Sequence, residues 1–332
     1  MAPWYIDLIE RAFVNIQIKP IVKGLLTFVP GLREWFSRKR TGGTNRAEYC
    51  YEVWLKHLTM ASAHGLERIP GTVAELGPGD SLGIGLAAAL SGANRYYALD
   101  VVEYSSVESN LRIFDELVDM FKRRAPRPPT GWPDYDEYLD EGLFPSHILT
   151  PDILRVSLST ERLEEIRKVL ADPGYHSDSI SIRYSVPWAN DDIIEDGSVD
   201  FIFSQSVIEH IDDLDTTYKA LYKWLCPGGM MSHQIDLGAH RLSGKWNGYR
   251  AYSEGIWKII VGTRPYLINR QPRSTHIRSI REAGLDLVCD LKRSTPEKGI
   301  ERSQLSSRWK DISDDDLACS DMFVQAKKTR TR

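Results

Sequence analysis

The chain has 332 residues and a formal charge of −4, from 42 Lys/Arg against 46 Asp/Glu. That is length for one enlarged α/β domain, without the basic excess of a broad nucleic-acid-binding surface. Cys50, Cys226, Cys289 and Cys319 form no Cys-x-x-Cys pair, so neither a zinc ribbon nor a disulfide framework is indicated and a reducing cytosol fits. No run reaches the roughly 18 apolar residues of a membrane span, and Asp7 and Glu10 interrupt what could pass for a secretion signal.

Residues 1–45 read as an amphipathic helical leader to a domain over 46–332. Tyr5, Leu8, Ile9, Ala12, Phe13 and Ile16 share one helical face, followed after Pro20 by Ile21, Val22, Leu25, Leu26, Phe28 and Val29. The first forty residues carry seven Lys/Arg (Arg11, Lys19, Lys23, Arg33, Arg38, Lys39, Arg40) against Asp7, Glu10 and Glu34, with Trp4 and Trp35 near the ends. Such a basic amphipathic segment suits peripheral contact with the inner face of an anionic membrane through residues 1–40. Packing on its own domain, or on a second copy as a homodimer, is the open alternative. After the flexible Thr41-Gly-Gly43, the spacing of Tyr49, Val53, Leu55, Leu58 and Met60 predicts a helix to His64.

Val73 to Leu76 reads as a short buried strand, Gly77 and Gly79 as a tight turn that lets backbone approach a ligand, and Leu82 to Leu90 as the helix behind it. About twenty residues on, Tyr96-Tyr-Ala-Leu-Asp100 ends a second strand on a carboxylate placed to accept both ribose hydroxyls of a nucleoside. A dinucleotide fingerprint wants a third glycine three positions after Gly79, and that position is Leu82. Glu75, two residues before the first glycine, would repel a pyrophosphate but suits a cationic ligand. S-adenosylmethionine (SAM), with an ammonium, a sulfonium and no phosphate, is such a ligand.

The next convincing strand, Ser179 to Tyr184, lies about eighty residues beyond Asp100. The excess, 103–178, reads as a helical insertion: a helix from Val107 to Phe121, a break at Ala125-Pro-Arg-Pro-Pro129, an acidic aromatic stretch Trp132 to Tyr138, and a charged helix Glu161 to Leu170. Long segments of this kind are commonly lids, so it is expected to cap the site, with a dimerisation arm as the alternative. A turn at Asp196-Gly197 opens the strand Ser198 to Ser204, and then come Gln205-Ser-Val-Ile-Glu209-His210, a helix to Leu225, Cys226-Pro-Gly-Gly229 and the strand Met230 to Leu237. A second insertion, 238–275, precedes the helix His276 to Ala283. A strand Leu285 to Asp290, the acidic turn Ser313 to Leu317 and a last strand Asp321 to Ala326 close the chain.

Glu75-Leu-Gly-Pro-Gly79, Asp100, Val199-Asp200, Ser206-Val-Ile-Glu209-His210 and Leu225-Cys-Pro-Gly-Gly229, with strands and helices alternating between them, resemble the class I SAM-dependent methyltransferases, and more loosely those of bacterial polysaccharide and specialised-metabolite pathways. The resemblance implies an α/β Rossmann-like sheet of seven strands with an antiparallel last hairpin, and SAM as cofactor. It implies Glu75 near the methionine ammonium, Gly77 and Gly79 at the backbone approach, Asp100 at the ribose, Trp188 or Asp191 at the adenine, and Ser204 at the fourth strand's end. The Glu209-His210 pair is similar to one that binds a divalent metal in ubiquinone-pathway O-methyltransferases. Those enzymes carry another carboxylate three residues before the Glu, where this chain has Ser206.

A hydroxyl acceptor, unlike an unprotonated amine, needs a base or metal. The candidates are Glu209 and His210 after the fourth strand, and Asp236 and His240 running off the fifth; if a metal is held, Glu209, His210 and Asp236 would hold it. His233 and Asp236 would point to opposite faces of their strand, leaving the following loop to bring Asp236 and His240 together. In the second insertion Trp246, Tyr249, Tyr252, Trp257 and Tyr266, with Arg264, Asn269, Arg270 and Arg273, suit a sugar. The expected activity is methyl transfer to a hydroxyl of a sugar or glycan intermediate. O- or N-methylation of a small non-sugar metabolite, or a non-catalytic scaffold subunit at a membrane, stays open.

Overall fold

Seven strands form one mixed sheet in the order β3-β2-β1-β4-β5-β7-β6 in a computed structural model that describes residues 17–29, 42–129, 131–172, 174–188, 191–264 and 266–329. The strands are β1 (Thr72–Leu76), β2 (Arg95–Leu99), β3 (Ser181–Ser185), β4 (Val199–Gln205), β5 (Leu225–Asp236), β6 (Asp286–Ser294) and β7 (Cys319–Lys327). β1 to β5 run parallel, and β7 lies antiparallel between β5 and β6. β1 is buried at every position because helices cover both faces of the sheet. The antiparallel end agrees with the class I expectation, although β6 and β7 are joined by a long connection. Within it the expected acidic turn is a short helix, Asp314–Ala318, capped by Ser313. Three aspartates in its first turn complement the positive end of the helix dipole.

Helices α2 (Ala47–Ala63), α3 (Gly83–Leu90), α4 (Val107–Lys122), α5 (Pro151–Ser157) and α6 (Thr160–Ala171) share one apolar core with Val73, Phe201 and Phe203 of the sheet. Helices α7 (Leu214–Trp224) and α9 (Arg273–Glu282) pack on the other face over Ala74, Ile202 and Met231. The helices of residues 103–178 therefore pack along one face of the sheet. Ile113, Phe114, Leu117, Phe121, Tyr135 and Ile166 are buried in the first core, and the apolar area they remove from water holds the segment along the flank.

Helix α1 (Ile18–Leu26) and helix α8 (Glu254–Val261) belong to a small module of their own. Ile21 packs against a cluster formed by Ala239, Leu242, Tyr249, Tyr252, Trp257, Ile260 and Ile268. Gly24 permits the contact, since a Cβ there would fall 1.9 Å from the Ile259 carbonyl oxygen. The remainder of the predicted leader, 1–16 and 30–41, lies outside the described residues.

Candidate active site

The strand order reverses between β1 and β4, and in open α/β sheets ligands bind beyond the carboxyl ends of the strands at that point. The loops after β1, β2, β4 and β5 converge there. They enclose two adjoining lobes of about 350 and 300 Å³. Gly77, Asp100, Val101, Val207, His210 and Tyr266 border both.

The glycine loop is shaped by neighbours as well as by its own freedom. Gly77 and Gly79 have φ of +65° and +75°, a region that costs any residue with a Cβ. A Cβ on Gly77 would also lie 2.6 Å from Val207 Cγ2. The Gly77 amide donates to the Leu99 carbonyl (2.8 Å), tying the loop to the end of β2. Just beyond, Asp100 is buried and accepts from the amides of Gly79 (3.3 Å) and Val101 (2.7 Å). Burial holds its pKa above the usual carboxylate value despite those donors. Trp188 lines the second lobe with Leu99, Ile211 and Asp212, and the Asp191 side chain lies outside the described residues.

Glu75 is buried beneath the loop and borders neither lobe. Its Oε2 accepts from the Tyr96 hydroxyl (2.5 Å), and burial pushes its pKa to about 8. Ser204 also sits away from the lobes: its Oγ bonds His233 Nδ1 (2.8 Å) inside the sheet, because side chains alternate along β4 and its position faces inward. Gln205 and Ser206, the next two residues, line the first lobe instead.

Four of the predicted chemical residues come together, His210 and His240 on the wall of the first lobe and Glu209 and Asp236, which border neither lobe, beside them. His240 Nε2 lies 3.3 Å from Asp236 Oδ2 and 3.9 Å from Glu209 Oε1, and the His210 and His240 rings meet edge to face at 5.0 Å. Asp236 Oδ1 is fixed by the Gly238 amide (2.7 Å). Burial opposes charge on His240, but Asp236 and then Glu209 override it and hold the imidazole above its ordinary pKa. His210 goes the other way, to about 4, through burial and the neighbouring His240. Glu209 is buried with no hydrogen-bond partner on either carboxylate oxygen, and burial pushes it to about 8. One ligand atom each from Glu209, His210 and His240 can be chosen so that all lie within 4.8 Å of one another.

The predicted sugar-binding aromatics are elsewhere. Tyr249, Tyr252 and Trp257 are buried in the module's core. Arg270 lies over Trp257 (4.2 Å) and pairs with Glu254 (2.8 Å). Arg250 is buried among Trp246, Tyr249 and Trp309, Arg264 bonds the Ile260 carbonyl, and Arg273 pairs with Asp290 and Asp315. Asn269 serves the backbone, donating from Nδ2 to Ile208 O (3.0 Å) and Ile211 O (2.7 Å) and so holding the turn that carries Glu209 and His210. Only Tyr266 of that aromatic set borders the lobes, where Thr44, Tyr49 and Tyr104 join it. Ser206, His240 and Tyr266 adopt positive φ without being glycine. Such strain concentrates at functional sites.

Residues 143–232 match the methyltransferase domain family, on a sheet with the class I strand order. That match runs from within the 103–178 insertion into β5, and the strand order is the one the class I methyltransferase resemblance implies. Similar solved structures include a SAM-dependent methyltransferase from Mesorhizobium loti (13% identity, 86% of this chain, 100% of that one, TM-score 0.39) and a geranyl diphosphate methyltransferase in complex with SAM (13%, 85% and 85%, 0.41). A phosphoethanolamine N-methyltransferase 2 of Haemonchus contortus is similar over 91% of this chain and 61% of that one (15%, 0.41). No curated protein sequence matches the chain.

The residues at this point of the sheet fit SAM as cofactor. The Gly77-Gly79 turn, held at positive φ, presents its backbone to the first lobe, and Asp100 offers a buried acceptor on the same wall. Bound SAM supplies an already activated methyl group, so the protein's tasks are alignment and exclusion of water. Replacing Asp100 by Ala is expected to weaken SAM binding by about 1–3 kcal/mol, the scale for losing a charged hydrogen-bond acceptor. Unchanged affinity by calorimetry would remove Asp100 from the site.

Proposed function

We propose that the protein is a SAM-dependent methyltransferase acting on oxygen, at a hydroxyl of a sugar or glycan intermediate. The observation that carries the reading is the Asp236–His240 pair, whose imidazole lines the first lobe. With Nε2–H directed to Asp236, the other ring nitrogen, Nδ1, is left to accept a proton. The acceptor hydroxyl would give its proton to that nitrogen as its oxygen takes the methyl group, the methyl–sulfur bond of SAM breaking to leave the neutral thioether. Asp236 orients the ring and stabilises the imidazolium. The sugar reading is supported by the rings of Tyr49, Tyr104 and Tyr266 beside Thr44, Gln205 and Ser206, which offer apolar faces and hydrogen-bonding groups together. The four free thiols suit a reducing cytosol.

A second reading is favoured by Glu209, whose buried carboxylate has no donor. A buried carboxyl group without a hydrogen-bond donor is costly, and a divalent cation held by Glu209, His210 and His240 would satisfy it. Three such ligands with open positions suit Lewis-acid activation of a hydroxyl.

One experiment addresses both readings: an acceptor screen with labelled SAM, run with and without chelator across pH, with the product bond assigned by NMR. An O-methyl product is expected. With His240 as base, turnover rises with pH along a limb above the ordinary histidine value of 6.5, and chelator leaves it in place. Loss of turnover in chelator, restored by added metal, selects the cation. N-methyl products alone would reject oxygen as the acceptor atom.

A further inference from the structure

Thirteen large apolar side chains are exposed among the described residues, and six of them, Ile18, Val22, Leu25, Leu26, Phe28 and Val29, fall within the one stretch 18–29. Within and just beyond α1, Ile18, Val22, Leu25, Leu26 and Val29 recur at the spacing of a single helical stripe. The opposite side is fully committed to the protein: Pro20, Gly24 and Thr27 are buried, and Thr27 Oγ1 accepts from the Thr263 amide (2.9 Å). The stripe is thus presented outward by a helix whose docking side is already used. An apolar surface of this kind marks an interaction site when it is contiguous.

Its attachment places it beside the pocket. At one end the Gln17 amide donates to the Tyr252 hydroxyl (3.1 Å), which donates in turn to the Leu242 carbonyl (2.7 Å), two residues from His240. At the other end the Thr263 hydroxyl donates to the Thr27 carbonyl (2.9 Å), three residues before Tyr266. The module that carries α1 therefore also supplies His240 and Tyr266 to the first lobe.

Charge selects the occupant. Lys19 and Lys23 lie in the helix, and the first forty residues hold seven Lys/Arg against three acids in a chain whose overall charge is −4. An isologous contact with a second copy would set this basic segment against itself, whereas an anionic surface attracts it. Among the described residues no helix is long and apolar enough to cross a membrane.

We infer that the outward stripe of α1 seats the protein on an anionic lipid bilayer surface, with the His240 and Tyr266 side of the pocket held at that surface. Apolar side chains of an interfacial helix enter the headgroup boundary by about 5–10 Å while basic residues meet the lipid phosphates. The site then works on acceptors arriving along the membrane.

The test is co-sedimentation of the full chain with vesicles of phosphatidylcholine alone and of phosphatidylcholine mixed with phosphatidylglycerol, at low and high salt, with light scattering of the free protein. Binding is expected to the mixed vesicles, weakened by salt. Val22→Glu and Leu25→Glu, which alter exposed positions, are each expected to lower it at least about tenfold, the ratio for losing one buried aliphatic side chain. Their melting temperatures and SAM affinities stay at the parent values. Absence of binding to the mixed vesicles overturns the inference, as does parent-level binding by both variants. A dimer of the free protein that both substitutions dissociate, without vesicle binding, assigns the stripe to a second copy instead.

Discussion

His240→Ala lowers kcat by about 10²–10⁴-fold, the contribution of a positioned general base, and leaves SAM affinity unchanged. The reason is geometric: His240 follows β5, whereas the glycine turn and Asp100 that fit the cofactor follow β1 and β2 on the same lobe. Asp236→Asn tests the pairing separately. Asp236 raises the His240 pKa, so its neutral replacement moves the activity limb to lower pH as well as reducing kcat. Steady-state kinetics with a saturating acceptor would decide. If all of His210, His240 and Asp236 tolerate Ala without loss of turnover, oxygen activation by this cluster is rejected.

Gly85→Ala is the most damaging small change expected beneath the cofactor loop. A Cβ at Gly85 would fall 1.9 Å from Tyr96 Cζ, and the Tyr96 hydroxyl is the donor to the buried Glu75. Overpacking costs about 1–3 kcal/mol, and displacing Tyr96 leaves Glu75 unsatisfied at about 1–3 kcal/mol more. Urea unfolding should report the combined loss, and Tyr96→Phe the hydrogen-bond part alone. Parent-like stability in Gly85→Ala would mean that the ring has room to move. The same pair of residues sets a pH dependence. Glu75 titrates near 4.5 when unfolded and at about 8 when folded, so the folded state binds the proton more tightly. Its contribution is full below 4.5 and is lost as pH rises through 8. Glu75→Gln should flatten that slope.

Local signals made the frame legible. The β1 glycine turn, Asp100 and the Asp196-Gly197 turn each act over a few residues, where backbone freedom and strand-end chemistry leave a mark in residue type. Helices such as Val107–Lys122 were readable because their apolar spacing is itself the cause of their burial. The pairing of Asp236 with His240 also followed from strand alternation, which left the loop as the place where they meet.

Residue type could not say which aromatic rings face a ligand. Trp257 under Arg270 and the rings around Arg250 carry the same side chains a sugar site would use, yet the module needs them as its core. Thr44, Tyr49 and Tyr104 reach the pocket from segments distant in sequence, with no pattern in the chain to mark them. The same holds for the flank position of 103–178, since a helix with an apolar face packs equally well as lid or as wall until its partners are known.

The sequence by itself determined the order of strands and helices, the glycine turn and the acidic residue that ends the second strand, because these depend on interactions between near neighbours. Tertiary structure alone decided that Glu209 is buried without a donor, that His210 and His240 meet, that Ser204 turns into the sheet and that the α1 stripe faces outward. Those outcomes depend on which distant surfaces exclude water from one another, and that is a property of the assembled packing.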